Sequence, residues 1–256
     1  MDTKPYQDFA EQKLGFKFND INLLVVALTH RSYVNEHKKS HLEHNERLEY
    51  LGDAVLELVT SDFLYRNYEE PEGIMTAWRS ALVRTESISD AGYKLGYEPL
   101  VRLSRGEQHG IDRAHAVIIA DCFEAVIGAI YLDQGYPAAK DFIYKHILSK
   151  MDEMLEEEAW RDPKSYFQEL TQKYDLETPT YRTLKEDGPD HNKIFTVAVY
   201  VGNSIIASAS GHSKQEAQTL AAKQGIKIYK KKYSRTSKKP ESATKNSAKN
   251  LDKPAH

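Results

Sequence analysis

Residues 44–58, HNERLEYLGDAVLEL, decide the fold of the first half of the chain. At about 100° per residue, one side of a helix carries four carboxylates within a sector of roughly 80°: Glu46, Glu49, Asp53 and Glu57. The opposite side carries Leu48, Leu51, Val55 and Leu58. The pattern predicts an amphipathic helix with a buried leucine face. Taken alone, its acidic face is that of an ordinary solvated helix.

A second helix is predicted over residues 116–132, where apolar residues occupy every side. Such a helix is buried, yet Asp121 and Glu124 lie three residues apart within it and therefore on one face. Burying an ionised carboxylate costs several kcal/mol unless a partner compensates its charge. We therefore expect a positive group to face these two acids.

The positive group is either a basic side chain or a metal ion. Only Arg47 lies inside the first motif, and the acidic half has few bases at matching positions. If the two acidic faces oppose each other, four or five carboxylates converge, and an all-oxygen set favours Mg²⁺ or Mn²⁺ over zinc. The histidines before the first motif are irregularly spaced and lack cysteine partners, so we assign them no ligand role: His30, His37, His41 and His44.

The two halves of the chain differ sharply in charge, although the net charge is only −3. Residues 1–160 hold 17 Lys and Arg against 28 Asp and Glu, whereas residues 161–256 hold 18 against 10. The second half thus suits a polyanion such as nucleic acid, although ordinary surface solubility gives the same imbalance. A single cysteine, Cys122, excludes an internal disulfide framework and a multi-cysteine metal site.

The chain is expected to be cytoplasmic and to have no membrane partner. Residues 1–15 carry charges of both signs and no apolar run like that of a signal peptide. The longest apolar stretch, residues 116–132, contains Asp121 and Glu124 and is too short for a membrane span.

The second half follows a different pattern. Asp162 and Pro163 predict the start of a short amphipathic helix that runs to Tyr174. Alternation over 195–201, a Gly-Asn turn at 202–203 and a returning strand over 205–210 predict a hairpin. Ser213 and Glu216 form a capping box that opens a final helix through Tyr229.

At these motifs the sequence resembles the ribonuclease III family. The resemblance rests on HNERLEYLGDAVL at 44–56, ADCFEAVIGAIYL at 120–132 and ALTHRSY at 27–33. It implies an all-α endonuclease domain over residues 1–156, a linker over 157–161, and a small α+β domain of α-β-β-β-α order over 162–232. Residues 233–256 are predicted to form a disordered basic tail, because they contain almost no large apolar side chains.

The resemblance also implies a site and a reaction. Glu49, Asp53, Asp121 and Glu124 match the family's metal-binding carboxylates, with Asp53 and Glu124 catalytic, and Glu46 and Glu72 match supporting acids. The reaction is hydrolysis of double-stranded RNA by metal-activated water, which leaves 5′-phosphate and 3′-hydroxyl ends with short 3′ overhangs. Its cellular role is the processing of ribosomal RNA precursors and structured messenger RNAs. Tyr50 matches an aromatic that inserts into the partner subunit of a homodimer.

Residues 162–232 resemble the double-stranded-RNA-binding domain, which reads the shape of an A-form helix rather than its base sequence. The matching RNA-contact positions lie on the first helix, in a strand loop and at the start of the last helix: Ser165, Gln168, Glu169, Gln172, Gly188, Pro189, Asp190, His191, Lys193 and Lys214. The family usually has two adjacent basic residues where this chain has Lys214 and Gln215, so Lys193, Lys223 or the tail is expected to supply the missing contact. The rival interpretation is a protein that binds duplex RNA without cutting it.

Overall fold

The computed structural model describes residues 2–38, 43–107, 112–189 and 193–234. The chain divides into two compact units between Trp160 and Arg161. The predicted fold class, an all-α unit followed by an α-β-β-β-α unit, is confirmed.

Short and long α-helices build the first unit, joined by a π-helical turn at Ala10–Leu14 and 3₁₀ turns at Glu98–Leu100 and Leu148–Lys150. In chain order the helices are α1 (Lys4–Phe9), α2 (Ile21–Ala27), α3 (Arg31–Glu36), α4 (Glu46–Asn67), α5 (Glu72–Leu82), α6 (Thr85–Leu95), α7 (Asp112–Gln134), α8 (Tyr136–His146) and α9 (Met151–Glu156). The acid-rich segment after the second 3₁₀ turn begins a helix of its own, α9.

Helix α7 is the centre of this unit, packed by α2, α4, α6 and α8. Its most deeply buried residues have no exposed surface: Ile119, Cys122, Phe123, Ala125, Val126, Ile127, Ala129 and Ile130. The predicted burial of α7 is therefore correct. Among the described residues, one helix, Ala114–Gln134, is long and apolar enough to cross a membrane by composition, and 61% of its most apolar window is buried inside the protein.

The leucine face of α4 is buried only in part. Leu48, Val55 and Leu56 contribute to the core, but Leu58, which we had placed on the buried side, is 58% exposed. The apolar side chain of Leu58 borders a surface groove between α4 and α5.

The second unit places two helices on one face of a three-stranded antiparallel sheet of order β1-β2-β3. The elements are α10 (Pro163–Lys173), β1 (Thr180–Asp187), β2 (Ile194–Val201), β3 (Ser204–Gly211) and α11 (Lys214–Ser234). Val199, central in the sheet, pairs with Tyr181 on one side and Ala207 on the other. Gly202 makes the predicted turn with a φ of 59°. Phe167 from α10 packs edge-on against Tyr229 from α11, with ring centroids 5.2 Å apart.

The predicted helix starts of this unit are correct. The Asp162 side chain accepts a hydrogen bond from the Ser165 backbone N–H, and Pro163 is the first residue of α10. The Ser213 hydroxyl accepts from the Glu216 N–H at 3.1 Å, and the Glu216 carboxylate accepts from the His212 N–H at 2.8 Å. The Asp162 and Ser213 contacts satisfy first-turn backbone donors that a helix start leaves without partners, and the Glu216 contact holds the residue before the cap.

The last helix is longer than predicted. Helix α11 continues past Tyr229 to Ser234 and so enters the segment 233–256 that we had expected to be disordered. Tyr233 stacks on Tyr174 with ring centroids 3.9 Å apart, which gives the extra turn an apolar contact. The rest of the predicted tail, 235–256, lies outside the described residues.

Candidate active site and RNA-binding surface

Two glycines allow α4 and α7 to cross with their backbones in contact. A Cβ at Gly52 would lie 1.7 Å from the backbone oxygen of Glu124, and a Cβ at Gly128 would lie 2.3 Å from the backbone oxygen of Leu48. No side chain fits at either position unless the helices separate. The crossing therefore fixes Glu49 and Asp53 on α4 beside Asp121 and Glu124 on α7, as the two acidic faces predicted.

Glu124 is the most strongly perturbed of these acids. Burial raises its pKa first, and the negative charges of Asp53, Asp121, Glu49 and Glu57 raise it further, to about 8. Burial also raises the pKa of Glu49, assisted by the charges of Asp121, Glu46 and Asp53. Carboxylates that destabilise each other's ionised forms in this way lie within strong electrostatic range. The structure therefore brings together the four acids that the sequence motifs single out.

One base that the sequence reasoning overlooked faces this cluster. Burial raises the pKa of Asp121, and the charge of Arg31 from α3 opposes that rise. The Arg31 guanidinium also lies 3.5 Å from the Glu46 carboxylate. We had counted only Arg47 among the nearby bases because Arg31 lies in the upstream ALTHRSY element. Its proximity depends on how the chain folds back, through the backbone hydrogen bond from Asn45 N–H to Thr29 oxygen at 2.9 Å.

A second base removes Glu57 from the group of unpaired acids. Arg79 on α5 lies 2.9 Å from the Glu57 carboxylate. The four-acid face predicted for α4 is therefore divided in the structure. Glu49 and Asp53 face α7, whereas Glu46 and Glu57, at its two ends, pair with arginines.

The four acids offer the type of ligand atom that a hard cation prefers, but their side chains are not arranged around a common point. Within the part of the chain that the structure describes, no three His, Cys, Asp or Glu side chains are arranged to hold a metal ion. The donor set consists of carboxylate oxygens alone, which suits Mg²⁺ or Mn²⁺. Burial and mutual repulsion raise the pKa values of Glu49 and Glu124, and a divalent charge there would offset both by favouring the ionised carboxylates.

The nearby histidines have structural contacts. His30 caps α3 by accepting a hydrogen bond from the Ser32 N–H, and His37 stacks on Tyr33 at a centroid distance of 4.1 Å. His44 lies 3.7 Å from the Glu46 carboxylate. His41 lies outside the described residues.

In the second unit, the predicted RNA-contact residues of α10 share one exposed face. They recur at helical spacing and are all exposed: Ser165, Gln168, Glu169 and Gln172. Phe167, Leu170 and Thr171 occupy the buried side of the same helix. Glu169 forms an ion pair with Arg161.

The predicted strand-loop and helix-start residues are placed as follows. Gly188, with a φ of 90°, and Pro189 follow β1, and both are exposed. Asp190 and His191 lie outside the described residues. Lys214 is the first residue of α11, and Lys193 immediately precedes β2. Both lysines lie close to Glu186 on β1, a residue that the sequence reasoning did not single out.

Comparisons with known proteins agree with this layout. A family model described as Ribonuclease-III-like matches residues 20–151, and one described as Double-stranded RNA binding motif matches residues 163–229. Ribonuclease 3 of Oceanobacillus iheyensis is 42% identical over 227 residues, which cover 88% of this chain and 97% of that protein. The chain belongs to the ribonuclease III family. Ribonuclease 3 of Carboxydothermus hydrogenoformans is also 42% identical, covering 86% of this chain and 94% of that protein.

Among solved structures, the nuclease domain of ribonuclease III from Campylobacter jejuni is 35% identical, with a TM-score of 0.47. The match covers 54% of this chain and 96% of that one. As a ribonuclease III with a double-stranded-RNA-binding motif, the chain is an endoribonuclease specific for double-stranded RNA.

Two residues implied by the ribonuclease III resemblance lie away from the carboxylate cluster. Tyr50 projects from α4 into solvent and is 82% exposed. Glu72, at the start of α5, accepts a hydrogen bond from the Thr76 hydroxyl at 3.0 Å and lines the groove between α4 and α5. Within one chain the structure therefore does not bring Glu72 to Glu124, because the first turn of α5 lies beside the second half of α4.

Proposed function

We propose that this ribonuclease III hydrolyses duplex RNA with a divalent cation, Mg²⁺ or Mn²⁺, held by Glu49, Asp53, Asp121 and Glu124. The observation that carries the proposal is the glycine-mediated contact of α4 and α7, which presses four carboxylates together in a half-buried place. Negative charges held close together in this way favour a divalent counter-ion. The contact of α4 and α7 fixes the backbone positions of all four acids, and their side chains would turn toward the ion.

When bound, the cation supplies an activated water and stabilises the leaving 3′ oxygen, which gives 5′-phosphate and 3′-hydroxyl ends. Asp53 and Glu124, from facing helices, hold the reacting water between them and orient it toward the phosphorus. Glu46 and Arg31 lie at the edge of the cluster, where Arg31 supplies a positive charge close to Asp121. We place the reaction in the cytoplasm, on precursors of ribosomal RNA and on structured messenger RNAs.

A perfect RNA duplex tests this assignment. We expect cleavage in Mg²⁺ that a chelator stops, and loss of at least about a thousandfold in rate for Glu124→Gln with duplex binding retained. Glu11→Gln, the same change at an exposed acid of the first unit, should cut at the normal rate. Undiminished cutting by Glu124→Gln contradicts the site. Duplex binding by the unaltered chain without any cutting favours the interpretation of a binding protein.

The nuclease unit is proposed to act as a homodimer through the exposed side of α4. Tyr50, Leu58 and Tyr65 are 82%, 58% and 78% exposed, and they follow each other at intervals of about two helical turns along one face. Such a stripe on a monomer indicates an interface. In a two-fold dimer each Tyr50 would enter the partner's groove between α4 and α5, and Glu72 of each chain would lie at the same interface.

Tyr50→Asp tests the dimer by placing a charge in the proposed interface. We expect sedimentation to change from dimer to monomer, with at least a tenfold weaker association. Ile205→Asp is the matched control, because Ile205 is 57% exposed in the second unit. A Tyr50→Asp chain that sediments as the unaltered protein does would contradict this interface.

A further inference from the structure

Glu186 lies between the two lysines that are expected to meet RNA phosphate. One oxygen of its carboxylate is 2.7 Å from the Lys214 ammonium, and the other is 3.7 Å from the Lys193 ammonium. Lys214 opens α11, Lys193 precedes β2, and Glu186 belongs to β1. One carboxylate thus joins three elements at the edge of the predicted RNA-binding surface.

The site favours an ionised glutamate. The hydrogen bond from Lys214 lowers the pKa of Glu186, and the charges of Lys214 and Lys193 lower it further. Phe195, the cross-strand neighbour of Glu186, lies under Lys214 with its ring centroid 5.4 Å from the ammonium. At neutral pH the group therefore contains two positive charges and one negative charge.

We propose that Glu186 is an internal competitor of RNA phosphate, which limits the affinity of the chain for duplex RNA by occupying Lys214 and Lys193. The inference rests on the RNA-binding role expected for these lysines. A phosphate that approaches Lys214 meets the repulsion of Glu186 and must share or displace it. This chain has Gln215 after Lys214 where the family usually has a second basic residue. Glu186 therefore neutralises a larger share of the positive charge at the start of α11.

The proposed competition predicts a change in how the affinity for duplex RNA depends on salt concentration. Each phosphate newly neutralised by a lysine releases counter-ions and steepens the dependence of log affinity on log salt by roughly one unit. A lysine already neutralised by Glu186 contributes less to this release. If Glu186 instead held the lysines in a productive position, its removal would weaken binding and flatten the salt dependence.

Glu186→Gln and Asp187→Asn form a matched pair for the test. Each change replaces one carboxylate of β1 by its amide, but consecutive strand residues point to opposite faces. Asp187 forms an ion pair with Lys185. The full-length chain is titrated with a blunt RNA duplex of about 20 base pairs, longer than the roughly 16 that one such domain spans. A chelator prevents cleavage, and the potassium chloride concentration is varied.

We expect Glu186→Gln to bind the duplex about three- to tenfold more tightly at ~0.1 M salt, with a salt slope steeper by about one, and Asp187→Asn to bind like the unaltered chain. Adding Lys214→Met to Glu186→Gln should remove most of the gain. Equal tightening by both amide variants, or weaker binding by Glu186→Gln, overturns the inference. Glu186→Ala repeats the test without the amide, and thermal unfolding confirms that each variant is folded.

Failure of the inference and failure of the proposed function are distinguishable in the same titration. If the unaltered chain binds no duplex, the proposed function fails and this inference fails with it. If the unaltered chain binds duplex and Glu186→Gln gives no gain, only the role of Glu186 is contradicted.

Discussion

The two units treat charge in opposite ways. In the nuclease unit, Glu49 and Glu124 are half-buried among other acids, and their pKa values are raised. In the RNA-binding unit, Glu186 is exposed between lysines, and its pKa is lowered. The difference shows that the close backbone contact of α4 and α7 holds like charges together in the first unit. In the second unit, exposed side chains of opposite charge pair with each other without any such backbone contact.

The largest effect is expected from a substitution that forces α4 and α7 apart. Gly52→Ala places a methyl group 1.7 Å from a backbone oxygen, which no rotamer change relieves. We expect the free energy of unfolding to fall by about 3 kcal/mol or more, and RNA cleavage to fall with it. Both tryptophans, Trp78 and Trp160, belong to the first unit, so urea unfolding followed by tryptophan fluorescence reports on that unit.

Gly73→Ala is the control for the same substitution. Gly73 is in α5, and a Cβ there meets nothing within 4 Å. Alanine should therefore leave stability unchanged or raise it by about 0.5 kcal/mol. If Gly52→Ala were as harmless as Gly73→Ala, the crossing of α4 and α7 would not be the constraint that brings the acids together.

The pH dependence of stability tests the same contrast with a smaller expected effect. It concerns the first unit, which contains the half-buried His146. Burial lowers the pKa of His146 to about 4, assisted by the charges of Lys145 and Lys150. The unfolded chain takes up this proton near pH 6.5, whereas the folded chain resists it. The stability associated with neutral His146 is therefore complete above about pH 6.5 and is lost as the pH falls toward 4.

His146→Phe isolates this contribution and keeps a ring beside Phe142, whose centroid is 4.7 Å from that of the histidine. We expect the variant to lose about 1 to 2 kcal/mol less than the unaltered chain between pH 7.5 and 4.5, after allowance for partial exposure. Tryptophan fluorescence again follows the first unit. Equal changes of stability in both proteins between pH 7.5 and 4.5 would contradict a contribution from His146.

The sequence predicted the helices and strands, and the faces on which their side chains lie, better than it predicted which neighbours pack against those faces. Helical periodicity placed Glu49 and Asp53 on one side of α4, and the apolar surroundings of Asp121 and Glu124 predicted a buried acidic face. Periodicity carries no information on where a helix loses its neighbour, so the exposure of Leu58 was missed. Glu186 was missed because its significance depends on pairing with residues on two other elements.

Arg31 shows the same limit, and it gives the smallest effect. This exposed arginine is the basic side chain that moderates the pKa values of both Asp121 and Glu49. Arg31→Gln should therefore destabilise the metal-free protein by only about 0.5 kcal/mol or less, since exposed ion pairs contribute little. By linkage, the same change should raise the affinity for Mg²⁺ by about twofold, because the cation then meets a more negative cluster.

Thermal stability measured at increasing Mg²⁺ concentration, in the absence of RNA, gives both the loss of stability without metal and the change in Mg²⁺ affinity. Lys4→Gln is the control, because Lys4 forms a similarly exposed pair with Asp8 at 3.4 Å and does not act on the cluster acids. Its small cost should not change with Mg²⁺. The cost of Arg31→Gln should vanish at saturating Mg²⁺, since the bound cation then supplies the positive charge. If that cost persists, Arg31 stabilises the fold through Glu46 alone, and the cluster is balanced without it.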